Sequence, residues 1–470
     1  MSRKKRGRSP VADLPLETKS QLQAAEDRLP SVEQGRLRLY HPQADNVNRF
    51  LSLLAERMSR PLAVSIVGCV HCGLCVDACH YALARPDDPT MTPVYKADQI
   101  RSIFKRHLDW TGRVIPWWVH ARRPVDDADL NRLKNVVFGT CSGCGRCTFN
   151  CPMGVDTAAL IRFARGLLTE LGIVPEGVFN VSRDQWETGN QMAVTEKDYL
   201  ETLDWMRDEL RSELGTKAID IPVDKSDCDF MYTINPREVK FDPRSIAQAA
   251  KIFHFAGESW TLPKWGWDQT NFGLFSGDDK LGGYAARNLY EAAVRLKAKR
   301  IVISECGHGY RSTRWEGYNW AGYGQNIPSE SVVVTLKRYL EEGRLNVDPS
   351  RNPDPVTYHD SCNTARFGGL IEEPRWVLQR ACSDFREMHP NRTENFCCTG
   401  GSGLLSMAEY RPLRLEVAKV KAEQLKATGA KLVCTICHNC VDGLADVIKH
   451  YKLDMKVVQM LELVERALII

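Results

Sequence analysis

At 470 residues, 43% of them hydrophobic and 26% charged, the chain can bury two or three domain cores without covalent staples. A net charge of +4 argues against a general nucleic-acid binder, and no run of about eighteen apolar residues offers a membrane span. The five Lys/Arg of residues 1–10 are followed by no apolar stretch of the kind a secretory leader carries, so the clustered thiols among the seventeen cysteines read as metal ligands in the cytoplasm.

In chain order, residues 1–45 read as a basic, polar tail and arm. Val47, Phe50, Leu51, Leu54 and Met58 have helical spacing. Helices are expected at 96–108 and 126–138, with a connector carrying Trp117 and Trp118, and again at 157–171, ending at Gly172. Residues 46–215 therefore form a helical domain. Beyond residue 225 the pattern changes. Residues 228–234, 300–306, 355–362 and 431–437 are short apolar runs rich in β-branched residues, separated by helical segments, which predicts βαβ units and a parallel sheet. Asn271-Phe-Gly-Leu-Phe-Ser-Gly277 echoes Asn395-Phe-Cys-Cys-Thr-Gly-Gly401, and residues 298–306 echo 430–437. The fold class is thus α followed by a duplicated α/β unit, with halves at 225–345 and 350–470.

Cys69-x-x-Cys72-x-x-Cys75-x-x-x-Cys79 and Cys141-x-x-Cys144-x-x-Cys147-x-x-x-Cys151-Pro152 both match the two-cluster ferredoxin spacing. Three thiols two residues apart wrap three corners of a cube, and the fourth completes the partner cube. Cys69, Cys72, Cys75 and Cys151 are assigned to one cubane [4Fe–4S] cluster, and Cys141, Cys144, Cys147 and Cys79 to another. Glycines 73, 143 and 145 allow the tight turns this needs. Zinc, the competing ion, prefers paired knuckles and would leave thiols over.

Cys362, Cys397-Cys398 and Cys434-x-x-Cys437 form a second constellation, with His359-Asp-Ser before Cys362, Arg366 after it, and Gly400-Gly401 near the pair. This pattern resembles the cysteine-rich CCG domain that heterodisulfide reductase catalytic subunits carry in duplicate, with Thr399 where the family expects glycine. The resemblance implies a noncubane [4Fe–4S] cluster on these five thiols, at which a disulfide or related sulfur species is cleaved. Cys440 is either an alternative ligand or a packing residue. In the first half Gly273-Leu274 stand where the second has its cysteine pair, Ile303 stands at the position of Cys434, and only Cys306 survives, in Glu305-Cys306-Gly307-His308. That half is expected to be metal-free.

One complete CCG site behind a two-cluster ferredoxin resembles the DsrK branch of this family, whose close relatives are TmcB and the HdrD type. That likeness implies a catalytic subunit peripheral on the cytoplasmic face of the inner membrane, in a complex of the DsrMKJOP kind. The implied partners are a haem b and quinone subunit (DsrM-like) and a small sulfur-carrier protein (DsrC-like) as disulfide or trisulfide substrate. Cys306 would handle the second sulfur and His308 would donate a proton, against a vestigial thiol and a packed histidine. The aromatic run from Tyr310 to Tyr323 either lines a cleft or packs the core. Trp117 and Trp118, with Arg122 and Arg123, either dock a partner or lipid, or pack the helical domain. Cys228 and Cys382 read as core residues. Two other readings stay open: the iron–sulfur subunit of a glycolate, lactate or glycerol-phosphate oxidoreductase complex, and a purely electron-transferring module.

Overall fold

The computed structural model describes residues 45–121, 125–324 and 327–470. The basic tail, Arg122 and Arg123 lie outside the described residues.

The helical region begins with Asn46–Arg57, which buries Phe50 and Leu54. Helix Pro93–His107 starts three residues earlier than the spacing predicts. Pro93 suits a first helical position, the Thr92 side chain accepts from the Tyr95 amide, and Lys105, Arg106 and His107 sit at the negative end. The segment expected to be helical over 126–138 divides into an α-helix, Asp127–Lys134, and a π-helical turn, Asn135–Gly139. In that turn the Val137 carbonyl accepts from Arg165 Nε at 2.8 Å. Helix Thr157–Glu170, capped by Asp156, buries Leu160, Ile161, Ala164, Leu167 and Leu168 and runs through the centre of this region's core.

The second region holds two four-stranded parallel sheets. The strands are β1 Phe230–Thr233, β2 Trp260–Thr261, β3 Ile301–Ile303, β4 Ser329–Ser331, β5 Val356–Tyr358, β6 Phe385–Arg386, β7 Leu432–Thr435 and β8 Lys456–Gln459. One sheet has the order β2-β1-β3-β4 and the other β6-β5-β7-β8, the same topology twice. The four apolar runs become the central strands β1, β3, β5 and β7. The sequence reading misses the four outer strands, because β2 and β6 are two residues long and β4 is polar.

Strand alternation gives each sheet two differently used faces. Phe230, Tyr232 and Val302 of one sheet and Val356, Tyr358, Leu432 and Cys434 of the other enter a single core between the halves. Helices Arg244–Phe255 and Met460–Ala467, one from each half, pack there, as do Val332–Glu341 and Glu372–Ala381. On the outer face of the first sheet, Met231, Ile301 and Ile303 meet Ala286 and Tyr290. On the outer face of the second, Val433 meets Cys397, Cys398, Cys437 and Cys440.

Candidate metal centres and a thiol pocket

Two hollows lie among the helices. One is lined by Cys69, Cys72, Cys75 and Cys151, the other by Cys79, Cys141, Cys144 and Cys147. These are the two quartets expected from the interleaved spacing. Gly143 and Gly145 have φ of +60° and +72°, and at both sites a side chain would collide, at Gly143 with Ser402 Oγ and at Gly145 with the Phe367 ring. The Gly143 amide donates to Cys141 Sγ at 3.4 Å and Lys96 Nζ to Cys79 Sγ at 3.8 Å, so donors already face the sulfurs. Eight soft thiol donors in two cube-sized enclosures fit two cubane clusters.

The second constellation differs from its sequence reading in one member. Cys434 lies within β7, in register with Tyr358, and its side chain enters the core between the halves. Cys437 follows the strand and caps helix His438–Tyr451, and Cys440 lies one turn on, on the same face. The pair facing the thiol pocket is therefore Cys437-x-x-Cys440. Cys434 is separated from it by the thickness of the sheet. Cys362 stands beside Cys397 and Cys398, and thiol–thiol hydrogen bonds link Cys397 to Cys398, Cys398 to Cys440 and Cys440 to Cys437. These bonds stabilise negative charge on two members. The bond from Cys440 draws Cys437 down to about 6, and bonds from Cys397 and Cys440 lower Cys398. The Thr399 amide donates to Cys397 Sγ at 3.2 Å. Thr399 itself takes φ +65°, the left-handed conformation that glycine adopts most readily.

The helical region is clamped to this pocket. Cys144 Sγ and Cys397 Sγ share a hydrogen bond, which joins the inner ferredoxin quartet to the pocket. Arg366 donates to the carbonyls of Cys144, Thr393 and Asn395, each at 2.7 Å. Arg146 donates to the Glu394 carbonyl at 2.8 Å and lies over the Phe396 ring. A cleft of about 810 Å³ opens between the helical region and both halves, lined by Arg162, Arg311, Asn363, Phe367 and Ser402 and reaching Cys362. Tyr318 and Tyr323 pack on Tyr290 instead of lining it, and Trp117 and Trp118 are exposed.

Cys306 occupies the place in the first half that Cys437 has in the second, following a central strand and capping a helix, Gly307–Arg311. A side chain at Gly307 would come 3.1 Å from Cys437 Sγ, so the two sites adjoin. Cys306 Sγ lies 3.5 Å from His308 Nδ1 and receives Asn235 Nδ2 at 3.8 Å. Burial raises the Cys306 thiol and lowers His308 to about 3. Burial thus keeps this imidazole neutral beside a protonated thiol. Positions 273 and 309, which match Cys397 and Cys440, are glycines packed against backbone. A side chain at Gly309 would meet the Gln269 carbonyl at 2.6 Å, and one at Gly273 would meet Gly282 Cα at 2.6 Å.

Residues that the sequence reading passed over join the halves here. Glu305 accepts from the Met460 amide at 2.6 Å and from Gln459 Nε2 at 3.2 Å. Glu238 accepts from the Asn235 amide at 2.9 Å, Ser304 Oγ at 2.6 Å and Ser245 Oγ at 3.2 Å, with His438 Nε2 at 3.4 Å. Burial raises Glu238 to about 7. Its folded-state value lies above the unfolded one, so the stability from its retained proton is complete below about pH 4.3 and lost as pH rises through about 7. Glu238→Gln, which mimics the protonated form, should remove roughly 3 kcal/mol of pH-dependent destabilisation between pH 4.5 and 8. Urea midpoints across that range measure it, and an unchanged pH slope would refute it.

Residues 68–156 match the family described as a 4Fe-4S dicluster domain, and residues 356–444 match the cysteine-rich domain CCG. The chain is 26% identical over 452 residues to an Hdr-like menaquinol oxidoreductase iron-sulfur subunit of Archaeoglobus profundus, covering 86% of this chain and 79% of that one. It is 25% identical over 427 residues to one subunit of a dihydromethanophenazine:CoB--CoM heterodisulfide reductase of Methanosarcina mazei, covering 89% and 97%. An EtfAB:quinone oxidoreductase of Syntrophomonas wolfei is 23% identical over 427 residues, covering 81% and 55%. With both domains in this order, the chain is similar to the HdrD-like, CCG-domain iron–sulfur proteins along most of its length. Among the described residues no helix is long and apolar enough to cross a membrane.

Proposed function

We propose that the chain is the catalytic iron–sulfur subunit of a quinone-linked complex that makes or breaks a sulfur–sulfur bond. The observation that carries this reading is the Cys144–Cys397 contact. It leaves no residue between the inner ferredoxin quartet and a thiol pocket whose Cys362 borders an open cleft. The three thiol sets would hold two cubane clusters and one noncubane cluster, the latter on Cys362, Cys397, Cys398, Cys437 and Cys440. The bound clusters supply one-electron transfer and, in the pocket, iron open to a substrate sulfur.

The chain's own groups do the rest. Arg162 and Arg311 line the cleft, paired with Asp279 at 2.6 Å and Glu316 at 2.5 Å, so its rim offers charges of both signs to a polar arm. Cys306, protonated and hydrogen-bonded to His308, supplies a thiol beside Cys437 for the second sulfur. The relatives named for menaquinol and quinone oxidoreduction support a quinone-reactive partner in the membrane, here a haem b subunit of the DsrM kind. The single complete CCG site supports a DsrC-like carrier protein as substrate and a place on the cytoplasmic face of the inner membrane. The Syntrophomonas wolfei relative favours one second reading, an iron–sulfur relay between a flavoprotein and quinone.

Iron analysis should give about twelve irons per chain, and oxidation with a thiol substrate should produce a new paramagnetic signal. About eight irons would remove the third cluster. Full iron content with no substrate-dependent signal would leave the relay reading.

A further inference from the structure

Lys421, on helix Lys419–Ala427, is only 1% exposed, so its ammonium is withdrawn from water. Its three N–H bonds are all used: Nζ donates to Asn395 Oδ1 at 2.8 Å, to Met388 Sδ at 3.4 Å and to Gln424 Oε1. All three acceptors are neutral, and among the described residues no carboxylate bonds to it. The groups that act on its charge are Cys398, Cys397, Asp360 and Cys440. Asp360 is already matched by Arg375, whose two nitrogens each reach it at 2.8 Å. An isolated buried ammonium costs several kcal/mol, so the anion that balances this one is the thiol pocket. Burial pushes Lys421 down to about 7, with the thiolates of Cys398, Cys397 and Cys440 and the Asp360 carboxylate acting against it.

The hydrogen bonds extend this charge to the sulfurs. Because Asn395 Oδ1 accepts from Lys421, its Nδ2 is the donor, and it reaches His359 Nδ1 at 3.1 Å and the Asp360 carbonyl at 2.7 Å. The His359 ring hydrogen is then on Nε2, and this ring lies with the thiols of Cys398 and Cys440 in one buried group spanning less than 4.8 Å. Ammonium, amide and imidazole form one polarised chain that presents positive charge to the pocket.

We propose that Lys421, acting through Asn395 and His359, is the fixed counter-charge of the thiol pocket and raises the reduction potential of the cluster held there. Reduction adds one electron and one negative charge, and a nearby fixed cation favours that state. Lys421 touches no reacting atom; it is a positioning residue. The inference rests on the reading of the pocket as a cluster site.

Lys421→Met, close to isosteric but uncharged, tests it by redox titration of the intact protein followed by paramagnetic resonance, with iron analysis. The expected result is unchanged iron with the reduced-to-oxidised ratio at a given potential at least about tenfold lower, a 59 mV fall for a one-electron step. Loss of the third cluster in Lys421→Met with retention in Lys421→Arg would also support the charge. Loss in both variants would make the requirement one of shape and overturn it, as would full iron content with an unmoved potential in Lys421→Met. About eight irons in the unsubstituted protein would instead remove the cluster reading itself.

Discussion

Replacing Cys440 with serine should remove about four irons per chain, whereas replacing Cys434 with serine should remove none. The contrast is large because the two thiols face opposite sides of one sheet. Cys434 points into the core shared by the halves, where burial raises its thiol and no pocket cysteine is near enough to act on it. Cys440 bonds to both Cys398 and Cys437, so it holds the centre of the pocket. The serine hydroxyl at 434 occupies a fully buried strand position, and its cost appears in stability, at about 1–3 kcal/mol, not in metal content. Iron analysis with paramagnetic resonance decides the matter. Iron lost from Cys434→Ser and retained in Cys440→Ser would overturn the ligand set derived from the strand.

Arg165→Met should destabilise the protein by on the order of 5 kcal/mol. The guanidinium is 2% exposed and spends its fork on three separate parts of the chain. Nε donates to the Val137 carbonyl at 2.8 Å, Nη2 to Cys141 at 2.9 Å, and Nη1 to Phe275 at 2.9 Å and Ser402 at 2.9 Å. Removing it leaves four carbonyls without this partner, those of Val137 and Phe275 buried and those of Cys141 and Ser402 half-buried, each worth about 1–3 kcal/mol when unpaired. It also frees the Cys141 loop and the segment beyond Cys398 from one another, so iron should be lost from the inner ferredoxin quartet. Lysine would not rescue it, since a point charge cannot serve divergent carbonyls. Urea unfolding of the iron-loaded protein measures the effect, and a change under about 1 kcal/mol would show the fork to be dispensable.

The central strands were legible because β1, β3, β5 and β7 are buried on both faces and read as unbroken apolar runs. The outer strands carry no such run, and pairing alone defines them. The ferredoxin quartets were legible because ligand spacing within a loop is written directly in sequence. The pocket was only partly so. Residues 434, 437 and 440 offer two overlapping Cys-x-x-Cys pairs, and the choice depends on where strand gives way to helix. Cys434 falls within a run read as a strand, where alternation fixes its face, while Cys437 and Cys440 fit helical spacing. That signal was present and could have been used. Lys421 carried none. A lysine among helix formers reads as a solvated face, and only the packed structure puts it beside the thiols.

The glycines at 273 and 309 make the two halves unequal in what a single substitution can do. Cysteine does not fit at either position, because backbone occupies the space its side chain would need. Building a second pocket would require repacking Gly282 and Gln269 as well, several concerted changes. A point substitution therefore cannot turn the first half into a copy of the second, and the thiol it offers beside the pocket already present is Cys306.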